Sequence, residues 1–139
     1  MSVYVDSSVL LRIVLGQPGV LTDWRGIRTG VSSRLAEVEC LRALDRLRLR
    51  SAVGDEEIAS RRVAVFGFLS AVEIIEVSYP ILARASQALP TELGTLDSIH
   101  LATALLWRET SQTDLVMATH DRALGLAARA CGFRVVGLS

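Results

Sequence analysis

Short β-prone runs alternate with longer stretches of helical periodicity along the whole chain. Ser2–Val5 reads as a strand ending at Asp6, and Ser7–Leu15 reads as a helix stopped by Gly16 and Pro18. A polar connection over Gly19–Thr29 contains Trp24, and Gly30–Val31 marks a second strand. Ser32 or Ser33 is placed to cap a helix running to about Arg50, with Leu35, Val38, Leu41, Leu44 and Leu47 at helical spacing. Gly54 and Asp55 open a further helix through Val63, Val65, Phe66 and Leu69. The pattern then predicts a strand over Glu73–Val77 and a helix over Tyr79–Leu89, with Pro80 in its first turn. Gly94 precedes a helix from Thr95 to about Trp107, and a strand follows at Leu115–Ala118. A helix over Asp121–Ala130 closes on Gly132, and Arg134–Gly137 is a last strand.

Strands alternating with helices predict a parallel sheet covered on both faces, a three-layer α/β/α architecture with a small central sheet. No repeat, linker or low-complexity segment divides the chain, so residues 1–139 are expected to form a single domain. Ligands of such sheets bind outside the C-terminal strand ends, near the point where the strand order reverses.

Composition narrows the chemistry. Half of the 139 residues are apolar, and fifteen basic residues balance fifteen acidic ones, which argues against intrinsic disorder. No apolar run approaches the ~18 residues of a membrane span, and Asp6 interrupts an N-terminus that lacks a basic n-region, so neither a span nor a signal peptide is expected. Cys40 and Cys131, each in an apolar helical pattern, are expected to be buried thiols in a reducing cytoplasm. All fifteen basic residues are Arg. Without Lys the chain lacks the phosphate-binding residue of a P-loop and the amine of a Schiff-base enzyme.

Four carboxylates stand out on this map. Asp6 and Asp121 follow strands directly, which places them at the C-terminal sheet edge. Asp97 lies in the first turn of its helix and reaches the same edge if that helix begins there. Taken singly, each suits a helix N-terminus, where an acid is stabilised by ~0.3–1 kcal/mol. Glu39 differs, because it sits between Val38 and Cys40, beside apolar positions. A carboxylate there must be paired, hydrated or metal-bound, and Arg42 at i+3 offers an ordinary ion pair. If the four converge, the oxygen-rich set suits Mg²⁺ or Mn²⁺, which activate water and stabilise phosphoryl displacement.

In this setting the segments Tyr4-Val-Asp-Ser-Ser8, Ser33-Arg-Leu-Ala-Glu-Val-Glu39-Cys-Leu-Arg42-Ala, Thr95-Leu-Asp97-Ser-Ile-His-Leu-Ala-Thr-Ala104 and Thr119-His-Asp121 resemble the four motifs of PIN-domain ribonucleases. Their order and spacing look most like the toxin subunits of VapBC-type toxin–antitoxin pairs, and the resemblance spans the chain. The Asp97 segment is the most specific of the four. The resemblance implies a PIN-like fold and an acidic cluster at Asp6, Glu39, Asp97 and Asp121 that holds Mg²⁺, with Mn²⁺ as a substitute. The family places its helical acid six residues after the Ser of Ser-x-Leu and three before Arg-Ala, and both Ser33 and Arg42 then select Glu39 over Glu37. Glu37 is rotated roughly 200° from it and reads as a solvated helix residue. Asp114 is a rival to Asp121 but precedes its strand, at the opposite edge.

Ser8 and Thr119 resemble the small hydroxyl residues that support this site, and each equally suits a helix start. His100 reads as a core or hydrogen-bonded residue, and His120 as an exposed one. Two His and two Cys without paired spacing give no zinc signature. Arg12, Arg34, Arg42, Arg46 and Arg122 lie near the acids, as guides for RNA phosphates or as a salt-bridged surface. The resemblance implies an endoribonuclease that cleaves cellular RNA of the tRNA or rRNA class and is blocked by a cognate antitoxin. The apolar helix pair around Arg34–Leu69 is the expected landing surface, and it equally suits core or a homodimer interface. The alternatives are a non-catalytic binding module on the same fold, and a domain whose carboxylates are only caps and ion pairs.

Overall fold

Val3 and Val5 point to one side of the first strand and Tyr4 to the other, the period of two that a doubly covered strand requires. The computed structural model describes residues 1–19, 26–51 and 53–138, so Trp24 lies outside the described residues. The strands are β1 (Ser2–Val5), β2 (Thr29–Ser33), β3 (Glu73–Ile75), β4 (Val116–Ala118) and β5 (Val135–Val136). They pair in parallel in the order β3-β2-β1-β4-β5. The helices are α1 (Ser7–Val14), α2 (Arg34–Arg50), α3 (Asp55–Ala71), α4 (Tyr79–Ala85), α5 (Thr95–Ser111) and α6 (Arg122–Ala130).

Two cores follow from the alternation. Tyr4, Val31 and Met117 pack with Leu101, Leu105, Leu124 and Ala128 of α5 and α6 on one face. Val3, Val5, Val116 and Ala118 pack on Val9 of α1 on the other, and α1, α2 and α3 share a further core of Leu10, Val14, Cys40, Leu44, Val65 and Leu69. The expected three-layer α/β/α fold is therefore the observed one. None of the helices among the described residues is long and apolar enough to cross a membrane.

Several boundaries differ from the expectation. β2 runs on to Ser33, whose hydroxyl accepts the Leu35 amide and caps α2. α4 stops at Ala85, and α5 runs past Trp107 to Ser111 before Gln112 turns it at φ 52°. The buried stripe of α2 is Ala36, Cys40 and Leu44, whereas Val38 is exposed. The apolar spacing that marks α2 as a helix therefore mixes its inner face, at Leu44, with its exposed one, at Val38. Cys40 is buried as expected, and Cys131, at the end of α6, is only half-buried.

Strand order positions the site. The chain starts in the middle of the sheet, steps outward to β2 and β3, then returns past β1 to β4 and β5. The reversal lies between β1 and β4, and the crevice outside their C-terminal ends is where such sheets bind ligands. Asp6 and Thr119 are the first residues beyond those two ends.

Candidate active site

Asp6 is the N-cap of α1 and only 2% exposed. Its Oδ1 accepts from Ser8 Oγ at 2.6 Å and from the Val9 amide at 3.3 Å, and its Oδ2 accepts from Thr119 Oγ1 at 2.7 Å. Burial raises its carboxyl above the ordinary value, and the Ser8 and Thr119 hydrogen bonds oppose that rise. Thr119 Oγ1 also accepts the Asp121 amide at 3.0 Å, and Ser8 Oγ accepts the His120 amide at 2.9 Å. Both hydroxyl residues thus serve Asp6 and tie the ends of β1 and β4 together, beyond any role as helix starts.

Asp121 caps α6, its Oδ1 accepting from the Leu124 amide at 2.9 Å. Asp97 stands in the first turn of α5, which begins after Gly94 without a side-chain cap. Its carboxyl is pushed up to about 6, chiefly by burial and then by Asp121, with Asp6 and Glu39 adding to it and His100 opposing. The fold thus brings Asp121, Asp6 and Glu39 within electrostatic reach of Asp97. As the side chains stand, no three His, Cys, Asp or Glu among the described residues lie close enough to hold a metal ion directly.

Glu39 is anchored in an unexpected way. Arg42 is not its partner, because that guanidinium turns to Asp45 Oδ2 at 3.1 Å. Instead Glu39 Oε1 meets His100 Nε2 at 2.6 Å, and His100 Nδ1 meets the Tyr4 hydroxyl at 2.6 Å. His100 is therefore the hydrogen-bonded core residue expected, but its partners were not legible. The signal for Tyr4 is general, since a buried tyrosine hydroxyl in an apolar strand requires a partner.

Other expectations need correction. Glu37 is not merely solvated, since it pairs with Arg34 at 2.9 Å. His120 is half-buried rather than exposed, with Nδ1 donating to the Gly137 carbonyl at 2.7 Å. Gly137 sits at φ +100°, and a Cβ there would stand 2.5 Å from the Thr119 carbonyl oxygen, so only glycine lets β5 close on this corner. Asp114 is exposed, precedes β4 and bonds the Leu115 amide, at the far edge from the other acids. Arg12 bonds the Gly19 carbonyl, and Arg34 and Arg42 are ion-paired, whereas Arg46 and Arg122 form no ion pair among the described residues.

The family described as PIN domain matches residues 3–129. The chain is 32% identical to Ribonuclease VapC46 of Mycobacterium tuberculosis over 142 aligned positions, covering 99% of this chain and 98% of the relative. Its fold resembles VapBC2 of Rickettsia felis bound to a promoter DNA fragment, with TM-score 0.64, 11% identity and 98% of both chains covered. It also resembles Mycobacterium tuberculosis VapC20, described as a sarcin–ricin loop cleaving toxin, with TM-score 0.56, 17% identity, and 94% and 95% of the two chains covered.

Proposed function

The chain belongs to the PIN-domain family, and from that premise we propose that it is a divalent-metal-dependent endoribonuclease, the toxin of a toxin–antitoxin pair. The observation that carries this reading is the electrostatic coupling of Asp97 to Asp121, Asp6 and Glu39. Caps alone would not need to gather, because like charges brought together without a cation repel.

The donor set fits a hard divalent ion. All four groups are carboxylates, and the three aspartates have no Arg partner among the described residues. Mg²⁺ keeps several waters and takes only one or two carboxylates directly. A hydrated ion therefore suits acids that stand slightly apart. Asp6, Glu39, Asp97 and Asp121 would hold Mg²⁺, with Mn²⁺ as a substitute. Such an ion, when bound, supplies a nucleophilic water of lowered pKa and charge stabilisation for in-line displacement at a phosphodiester.

The chain's own residues supply orientation. Ser8 and Thr119 clamp both oxygens of Asp6, and the Leu124 amide fixes Asp121. Asp97 forms no side-chain hydrogen bond among the described residues, which leaves its carboxylate unconstrained by a partner. Arg122, next to Asp121, is a cation available to a substrate phosphate.

The substrate class rests on the relatives: one is a ribonuclease at 32% identity, and another is described as cutting the sarcin–ricin loop. Structured tRNA or rRNA is the proposed target. An antitoxin partner is supported by the likeness to VapBC2 of Rickettsia felis, and Val38 and Leu49 on α2 and Val63 and Phe66 on α3 are exposed apolar side chains on the helix pair expected to receive it. A homodimer is proposed on the family resemblance alone. The test is incubation of the purified, partner-free chain with tRNA and rRNA. Discrete fragments are expected with Mn²⁺ and none with chelator, and RNA left intact in Mn²⁺ would contradict the proposal.

A further inference from the structure

Of the acids at the sheet edge, Asp6 and Asp121 are held by groups at their own helix starts, where backbone amides are free to donate. Glu39 has no such support. It lies in the interior of α2, where every backbone amide is already used by the helix. Its side chain carries three rotatable bonds and must still present a carboxylate to a site built by other elements.

His100 supplies what the backbone does not. The ring is fully buried, and its Nε2 stands 2.6 Å from Glu39 Oε1, while the Glu39 side chain keeps 21% exposure. On the other side its Nδ1 stands 2.6 Å from the hydroxyl of Tyr4, itself fully buried, with the rings edge to face at 5.9 Å and 73°. The chemistry gives the chain a direction. A carboxylate has no proton to donate, so Nε2 carries the hydrogen. In a neutral imidazole Nδ1 is then the acceptor and the phenol the donor. The Tyr4–His100–Glu39 line thus joins β1, α5 and α2. It engages only one carboxylate oxygen, and Oε2 has no recorded partner among the described residues.

We propose that His100 is a positioning residue for Glu39, holding its carboxylate by one oxygen so that the other faces the acidic cluster, with Tyr4 fixing the ring. The inference rests on the reading of that cluster as a divalent-cation site. It reverses the common arrangement in which a carboxylate orients a metal-bound histidine. It also gives α5 two functions at the site: Asp97 faces it directly, and His100, three residues on, acts through Glu39.

The test is calorimetric titration of the full chain with Mn²⁺ alone, comparing His100→Asn with His100→Gln. The Asn amide oxygen can stand where Nδ1 stands and still accept from Tyr4, but the side chain is too short to reach Glu39. The Gln amide reaches the Nε2 position and restores the donor. Loss of an orienting partner of this kind weakens metal affinity by roughly 10- to 100-fold. His100→Asn is therefore expected to bind Mn²⁺ about tenfold more weakly or worse, and His100→Gln to recover most of the affinity. In the Glu39→Gln background, His100→Asn should cause no further loss, since both changes act through one carboxylate. Nitrogen-15 NMR of the metal-free wild type should place the His100 proton on Nε2. Wild-type affinity in His100→Asn, an equal loss in both His100 variants, or a proton on Nδ1 would overturn the positioning role while leaving the cation site standing. A wild-type chain that binds no Mn²⁺ would instead overturn the cation site and this role with it.

Discussion

Thr119 Oγ1 donates to Asp6 Oδ2 at 2.7 Å, a bond between residues 113 positions apart that locks the C-terminal ends of β1 and β4 together. It lies at the reversal of strand order, and it serves a carboxylate that is 2% exposed. Removing a donor to a buried carboxylate costs roughly 1–3 kcal/mol. Thr119→Val is accordingly expected to lower stability by that amount in urea unfolding, and Thr119→Ser to retain most of it. Because the hydroxyl opposes the burial-driven rise of the Asp6 pKa, its loss raises that pKa further. A raised acid pKa contributes stability at low pH that is lost as pH rises through the folded value. The Thr119→Val deficit should therefore be largest at neutral pH and shrink as pH falls through the raised folded-state values of Asp6. A deficit independent of pH would remove Asp6 as its cause.

Glu37 and Glu39 are two residues apart on α2 and have different work. Glu37 pairs with Arg34 on the surface at 2.9 Å, whereas Glu39 turns inward to His100 at 2.6 Å. A surface pair is worth about 0–1 kcal/mol, so Glu37→Gln should leave RNA cleavage within a few-fold of wild type. Glu39→Gln should lower it by on the order of 10²-fold or more, several kcal/mol of transition-state stabilisation. Steady-state cleavage of one RNA by both variants decides the matter. Equal losses would overturn the assignment of Glu39.

Asp97 gives the metal-free protein a pH signature. Its folded pKa of about 6 lies above the ordinary value of 3.8, raised first by burial and then by Asp121. The folded state therefore holds this proton more tightly than the unfolded state. The stabilisation is complete below about pH 4 and is withdrawn as pH rises past about 6. In chelator, Asp97→Asn should melt at or above wild type at neutral pH, with solvent screening limiting the gain to on the order of 1 kcal/mol, roughly 3–5 °C in Tm. Mn²⁺ should raise the wild-type Tm by mass action, ~2.7 kcal/mol at one hundred times its Kd, and raise the variant less. A wild-type Tm indifferent to millimolar Mn²⁺ would favour carboxylates that act only as caps.

Much of this was legible from the chain because it is local. Strand endings at Val5 and Ala118 put Asp6 and Thr119 at one edge, and the caps at Ser33, Gly54, Gly94 and Asp121 are short-range chemistry. What stayed hidden depends on distant elements meeting. Arg42 was as good a partner for Glu39 as any in sequence, and only the side chains that link α2, α5 and β1 across the fold substitute His100 and Tyr4. The inner face of α2 was obscured because Val38 and Leu49 stay exposed alongside the buried Ala36, Cys40 and Leu44, so periodicity alone marks two apolar faces.

The central claim is that Asp6, Glu39, Asp97 and Asp121 act as one cation site for phosphodiester cleavage. Asp97 tests it most directly, since its carboxyl is coupled to the other three and has no recorded hydrogen bond among the described residues. The measurement is the rate of structured-RNA cleavage by wild type and Asp97→Asn across a Mn²⁺ titration, with folding of both checked by thermal melting. The expected result is wild-type cleavage that rises with Mn²⁺ and stops in chelator, with a folded Asp97→Asn slower by about 10²-fold or more at every concentration. Cleavage by Asp97→Asn at the wild-type rate, or wild-type cleavage that persists in chelator, would contradict it.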